Sequence, residues 1–318
     1  MVAKETRQGK VMTVEGLIPA GQMGITLPHE HLVVQGWDYR ERNYFNSAYM
    51  ELVQYPLAGG KTLVDLTNVG RDRDPVFFKR LAAKSNVSLI LGTGFYKDAW
   101  LPPEVHAMSV DEMTQFMVKE ITEGVNGSGI QAGVIGEVGV SRPITRTEER
   151  SLTASAYAHN ETGAAIVVHF EVGTPEAEYA HAIDILQSAR ADLSRVVVSH
   201  LVPRPDNFET YKRLADRGCF LAFDLLGQES WPLMKDLVRT HPEVQHSSVK
   251  GFIDNGLLDR ILISQNVCHI RHMTVNGGGG YTHILTDVIS RFKAYGISDT
   301  EIRTMMVDNP KRLLAFQS

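Results

Sequence analysis

The sequence predicts an α/β fold, a single (β/α)8 barrel. Short, nearly continuous apolar runs recur along the chain, as in parallel strands that are buried on both faces. Longer amphipathic stretches follow most of these runs. Eight such units in 318 residues fit one barrel better than a doubly wound sheet, which usually has fewer units or a second domain. No linker rich in Pro, Gly or Ser divides the chain, so residues 1–318 are expected to form one domain.

The eight apolar runs are the predicted barrel strands. In chain order they cover residues 25–34, 62–67, 87–93, 132–138, 165–169, 195–200, 220–224 and 260–264. Apolar residues at helical spacing predict helices between them, most clearly over residues 75–84, 111–123, 147–162, 175–189 and 207–217. Active sites of such barrels form at the carboxyl ends of the strands, so polar residues at those ends are the candidates for function.

The composition is that of an ordinary globular protein and excludes several functions. Hydrophobic residues make up 43% of the chain, and the formal net charge of -5 provides no basic face for nucleic acid. No apolar run approaches the roughly 18 residues of a membrane span. Residues 1–10 lack the apolar stretch of a secretory signal, and two cysteines are too few for a disulfide framework. A cytoplasmic protein without a nucleic-acid or membrane partner is expected.

His29 and His31 have the spacing of metal ligands and directly follow the apolar residues 23–28. Side chains two apart on an extended strand point to the same face, so both imidazoles can reach one metal ion while Glu30 points away. A lone pair of this kind is weak evidence, because it arises by chance in many chains.

Glu137, His169 and His200 also follow apolar residues at predicted strand ends. Burying such a group unpaired costs several kcal/mol, and metal ligation removes that cost. Taken singly, each histidine fits a hydrogen bond to a backbone carbonyl equally well, and Glu137 fits a pair with an arginine such as Arg71. Together with the first pair, they predict a divalent metal site, for zinc first and for manganese or cobalt as alternatives.

Motifs along nearly the whole chain resemble the phosphotriesterase family of the amidohydrolase superfamily. They lie at residues 13–16, 24–32, 64–65, 70–72, 93–96, 136–139, 277–281 and 309–310. The resemblance implies two divalent metal ions, one held by His29 and His31 and the other by His169 and His200, with Glu137 as the bridge. Many family members use a carboxylated lysine as the bridge, so the glutamate indicates the family's glutamate-bridged branch.

The resemblance also implies a mechanism, from which Asn266 departs. Two ions sharing a water would lower its pKa to about 7 and provide a hydroxide nucleophile. In the family, an aspartate after the eighth strand ligates a metal and accepts the proton. The asparagine here is no base near neutral pH, although its oxygen can bind a metal weakly. Three explanations stay open: an aspartate replaced on purpose to trap substrate, divergence with another base such as His269, or a binding protein without turnover.

The substrate contacts are expected from Tyr96 and from the glycine-rich segment 268–281, which should form a long mobile loop over the barrel mouth. Tyr96 resembles a tyrosine that orients water or substrate in lactonase-like relatives, and a rim aromatic is its alternative. His269, Arg271 and Arg204 are further candidates, since arginines suit a carboxylate or sulfonate. Segment 268–281 resembles the phosphotriesterase-related branch of the family, which implies hydrolysis of a small amide or ester. Lactones and phosphotriesters are the alternative substrates. The family resemblance also allows a homodimer.

Overall fold

The computed structural model describes residues 7–36, 38, 43–228 and 241–317. The predicted (β/α)8 barrel is confirmed: eight strands pair in parallel, each with its neighbours in the chain, in an unbroken order from β3 to β10. They are β3 (Thr26–Glu30), β4 (Thr62–Asp65), β5 (Ser88–Thr93), β6 (Val134–Gly139), β7 (Ile166–His169), β8 (Val196–Val198), β9 (Phe220–Phe223) and β10 (Ile261–Ile263). An antiparallel pair, β1 (Lys10–Thr13) and β2 (Gly16–Pro19), precedes them.

The first and last barrel strands meet through Ser264. Its hydroxyl oxygen accepts the His29 N–H at 3.2 Å and lies 3.0 Å from the His29 carbonyl oxygen. The His31 N–H donates to the Val267 carbonyl oxygen just beyond this point. These bonds bring the end of β10 against the end of β3, so the loops after both strands open at the same mouth.

Helices follow the strands as the amphipathic stretches predict. They are α1 (Tyr44–Leu57), α2 (Pro75–Ser85), α3 (Pro103–Ala107), α4 (Val110–Thr122), α5 (Arg146–Thr162), α6 (Glu176–Ser188), α7 (Phe208–Asp216), α8 (Pro242–Phe252), α9 (Ile289–Ala294), α10 (Asp299–Arg303) and α11 (Asn309–Leu314). The five helices predicted from sequence are present, with ends that differ by at most one residue. Capping boxes begin α4 at Ser109 and α5 at Thr145. Within the described residues, no helix is long and apolar enough to cross a membrane.

The alternation of side chains along each strand decides which polar groups reach the barrel interior. On β7, Val167 packs among the interior residues, whereas Ile166 and Val168 pack outward against the helices. His169, two positions beyond Val167, therefore faces inward at the top of the barrel. Asp224 follows the inward-facing Ala222 of β9 in the same way.

The first barrel strand is shorter than predicted and contains an irregularity. It ends at Glu30 rather than at residue 34, because the Leu32 N–H donates to the Asp65 carboxylate at 2.6 Å instead of continuing the ladder. Between Leu27 and Glu30 the register against β4 shifts by one residue. If side chains alternated regularly from the outward-facing Leu27, His29 would also face outward. The register shift places one extra residue in β3, so His29 faces the barrel interior instead.

The sixth predicted strand, 195–200, is also too long. It forms β8 over Val196–Val198, and His200 adopts a left-handed backbone with φ of 59°. A residue in that region cannot continue a strand, so the chain turns at this histidine.

A buried ion pair joins the loop after β4 to the outer layer. Arg73 donates two hydrogen bonds to Glu120 of α4 at 2.9 and 2.8 Å, and a third to the Gly92 carbonyl oxygen at 2.9 Å. Thr93 donates to the same carboxylate at 2.5 Å. Both charged side chains are only 4% exposed, so each depends on the other for its stability in the interior.

Replacing Arg73 by methionine is expected to lower the free energy of unfolding by about 3–5 kcal/mol, because it leaves the Glu120 carboxylate buried and unpaired. Urea unfolding followed by circular dichroism measures this change. The control is Arg213→Met, which removes an exposed partner of Glu176 and should leave the urea midpoint unchanged. Equal, small effects of the two replacements would show that the buried pair does not stabilise the barrel as described.

Candidate metal centre

The side chains of His29, His31, Glu137, His169 and His200, hereafter the histidine–glutamate cluster, meet at the carboxyl ends of four strands. One Glu137 oxygen, Oε2, lies 3.4 Å from His29 Nε2, 2.5 Å from His169 Nδ1 and 3.6 Å from His200 Nε2. The other, Oε1, lies 3.5 Å from His31 Nε2. All five side chains are buried. The carboxylate therefore lies between two pairs of histidines.

The cluster fits two divalent ions. Among the described residues, three triads have donor atoms within 4.8 Å of one another, and two of these triads share Glu137. One is His29 and His31 with Glu137, and the other is His169 and His200 with the same glutamate. Buried His29 Nε2 has no hydrogen-bond partner, and a metal ion would satisfy it. Imidazole nitrogens with a carboxylate form a donor set that suits zinc.

Two residues that the sequence reasoning missed fix the histidine rings. Asp224 accepts from His29 Nδ1 at 2.6 Å and lies 3.2 Å from His200 Nδ1, and it also accepts the His200 backbone N–H at 2.8 Å. Thr67 Oγ1 lies 3.0 Å from His31 Nδ1. These contacts turn Nε2 of the three rings towards Glu137, as is usual for metal-binding histidines. Asp224 directly follows an apolar strand. The same position at a strand end marked His169 as a candidate, so this signal could have identified Asp224 as well.

Burial and charge set the protonation states of the cluster. Burial lowers the pKa of His31 to about 3 and that of His169 to about 4, so both rings are neutral at pH 7. Burial also lowers the pKa of His29, but the carboxylates of Asp224 and Glu137 outweigh it and raise that pKa to about 10. The histidines hold the pKa of Glu137 well below its usual value against the effect of burial. Metal binding at His29 therefore releases a proton.

Asn266 is held over the cluster by a rigid turn. Glu30 accepts hydrogen bonds from the Ser264 hydroxyl at 2.7 Å and from the N–H groups of Gln265 and Val267 at 3.0 and 2.6 Å. Asn266 has a left-handed backbone with φ of 50°, and its buried side-chain oxygen has no hydrogen-bond partner. Glu30 thus points away from the cluster, as predicted, and fixes the turn that carries Asn266.

The cluster opens into a cavity of about 400 Å³ that contains Tyr96 and Asn266. The Tyr96 ring lies 5.0 Å from the His169 ring, centroid to centroid. Burial raises the pKa of the Tyr96 phenol above its usual value, so the hydroxyl keeps its proton at neutral pH. Tyr96 is therefore available as a hydrogen-bond donor beside the cluster.

The other three candidate contacts do not line this cavity in the described part of the chain. Arg271 lines a neighbouring cavity of about 360 Å³, and Arg204 lines a third and pairs with Asp206 at 3.2 Å. His269 accepts the Arg271 N–H at 3.1 Å, whereas Cys268, one residue earlier, does line the cluster cavity. The segment that carries them folds into short 3-10 turns, Ile270–His272, Thr274–Asn276 and Gly280–Thr282.

A parallel barrel with this cluster at its mouth is the arrangement expected of a metal-dependent hydrolase. The chain belongs to the phosphotriesterase family, whose model matches residues 9–314. Enzymes of this family use a binuclear metal centre.

Three similar proteins span nearly the whole chain. A phosphotriesterase-related protein of Nematostella vectensis is 33% identical and covers 97% of this chain and 99% of its own length. An N-acetyltaurine hydrolase of Homo sapiens is 32% identical with the same two coverages. The crystal structure of a resiniferatoxin-binding protein from Rhodobacter sphaeroides superposes with a TM-score of 0.89 at 30% identity, covering 96% of this chain and 95% of that chain.

Asp224→Asn is expected to weaken zinc binding about 10- to 100-fold, because an amide cannot accept from both ring nitrogens as the carboxylate does. Competition with a chromogenic chelator measures the affinity. Asp216→Asn on the exposed face of α7 is the matched control and should bind zinc like the unchanged protein. Unaltered affinity in Asp224→Asn would contradict the role given to this carboxylate.

Proposed function

We propose that this protein hydrolyses a carboxylic amide or ester bond of a small molecule at a binuclear metal centre. The supporting observation is the histidine–glutamate cluster, in which two histidine pairs share one buried carboxylate beneath a cavity of about 400 Å³. Similarity to an N-acetyltaurine hydrolase over nearly the full length favours the amide. Among the alternative substrate classes, lactones are favoured second and phosphotriesters third.

In this proposal the residues of the cluster hold the metal ions, with zinc as the first choice. When bound, two such ions supply a water of lowered pKa and polarise the scissile carbonyl oxygen. Asp224 and Thr67 keep the histidine rings in the orientation needed for ligation. Tyr96 keeps its proton and donates a hydrogen bond that orients the substrate oxygen or the water.

Asn266 limits the rate, because its amide cannot accept the proton of the attacking water. Among the described residues that line the cavity, none is a strong alternative general base. Lys97 and Arg142 bind Glu171 and lower its pKa, which makes that carboxylate a poor base. His269 lies outside the cavity. Asn266 therefore also supports a second candidate function, a metal-containing protein that binds a small molecule without turnover.

Asn266→Asp is expected to raise kcat about 100- to 10,000-fold, since it introduces a general base at a turn that is already fixed. Zinc- or manganese-loaded protein is assayed with N-acetyl amides, aryl esters, lactones and phosphotriesters. The substrate class that responds identifies the bond.

The control is Asn255→Asp, which adds the same charge at an exposed turn after α8 and should leave kcat unchanged. No turnover by either the original chain or Asn266→Asp on any of the four classes, with metal bound, would favour the non-catalytic function instead.

Tyr96→Phe in the Asn266→Asp background is expected to lower kcat about 100-fold, with little change in metal content, because it removes one hydrogen-bond donor from the reacting oxygen. Steady-state kinetics beside elemental analysis separate the two effects. Tyr157→Phe on the exposed surface of α5 is the matched control. A kcat that stays within about twofold in Tyr96→Phe would reduce Tyr96 to a rim aromatic.

A further inference from the structure

The cavity over the histidine–glutamate cluster carries an excess of positive charge that the hydrolytic mechanism does not use. Arg71, Lys97 and Arg142 line it, and outside the cluster Glu171 is the one acidic side chain among its described lining residues. Lys97 follows β5, Arg142 follows β6 and Glu171 follows β7, so three neighbouring loops contribute to one wall.

Glu171 holds two of these cations in place. Its Oε1 lies 2.5 Å from Lys97 Nζ, and its Oε2 accepts from Arg142 Nε at 3.1 Å. Arg142 also donates to the Gly173 carbonyl oxygen at 3.0 Å. One carboxylate cannot neutralise two cations, and both side chains have more N–H donors than these contacts use. The Lys97 side chain is 18% exposed and the Arg142 side chain 37% exposed, so a ligand in the cavity can reach the remaining donors.

Arg71 is engaged in a different way. Its guanidinium lies over the rings of Tyr96 and Trp100, 5.2 Å from each centroid, and beside the side-chain amide of Gln35. These contacts make Arg71 part of the cavity wall, whereas Lys97 and Arg142 lie side by side on one carboxylate and can reach one anion together.

We propose that Lys97 and Arg142, positioned by Glu171, bind an anionic group of the substrate, a carboxylate or a sulfonate, at the end remote from the scissile bond. The proposal rests on the hydrolytic function proposed above. It assigns anion binding to the wall formed by β5, β6 and β7, rather than to Arg271 or Arg204, which the sequence had suggested. Two fixed donors match the oxygens of such a group and form charge-assisted hydrogen bonds.

The test compares two substrates of similar shape, N-acetyltaurine and its neutral methyl sulfone analogue, in the Asn266→Asp background. In Lys97→Met and Arg142→Met, KM for the anionic substrate should rise about 10- to 100-fold while kcat stays within about threefold. Neither constant should change for the neutral analogue. Lys97→Arg should restore most of the loss. Lys212→Met, an exposed lysine of α7, is the matched control.

A second measurement keeps this proposal separate from the hydrolytic one. Ethanesulfonate is titrated into the metal-loaded protein and its variants by nuclear magnetic resonance, which needs no turnover. Binding that weakens about tenfold in Lys97→Met and Arg142→Met supports the anion site even if no amide is cleaved. Equal kcat/KM for the anionic and neutral substrates, or equal losses for both in the variants, would overturn the anion site while leaving hydrolysis established.

Discussion

The buried carboxylate of Glu137 is the constraint on which the site depends. A carboxylate this deep in the barrel is stable only if several donors face it, and here four imidazole nitrogens lie within 3.6 Å of its oxygens. Three of the four rings can face it because Asp224 and Thr67 occupy their opposite nitrogens. The same arrangement places two pairs of histidines around one shared carboxylate, which is the geometry of a two-metal site. The contacts that stabilise buried Glu137 are therefore also the contacts that form the site.

The barrel meets this constraint through side-chain alternation and three local departures from it. Val167 and Ala222 place His169 and Asp224 inward by simple alternation. The register shifts in β3 and β6 and the left-handed backbone at His200 bring in the other three strands. The helices bury the outward faces, so the strands cannot shift without losing apolar contacts on both sides.

Periodicity predicted the strands, five helices and the residues of the histidine–glutamate cluster, because each signal lies within one short segment. The ranges predicted for β3 and β8 were too long. A contact with Asp65 ends β3 and a left-handed backbone at His200 follows β8, and apolar spacing encodes neither feature. The wall of Lys97, Arg142 and Glu171 was missed because three separate loops form it. Arg271 and Arg204 were chosen from the same kinds of loops, and each lines a different cavity from the one over the cluster.

Asn266 bears on the rate of hydrolysis, and the cationic wall bears on substrate specificity. Both roles require that the cluster holds metal. The most direct measurement is the zinc content of the purified protein after loading and dialysis, determined by inductively coupled plasma mass spectrometry. The account predicts two zinc ions per chain, and one or fewer after Glu137→Ala, since both triads share that carboxylate. A metal-free chain, or the same zinc content in Glu137→Ala, would contradict a binuclear centre built around Glu137.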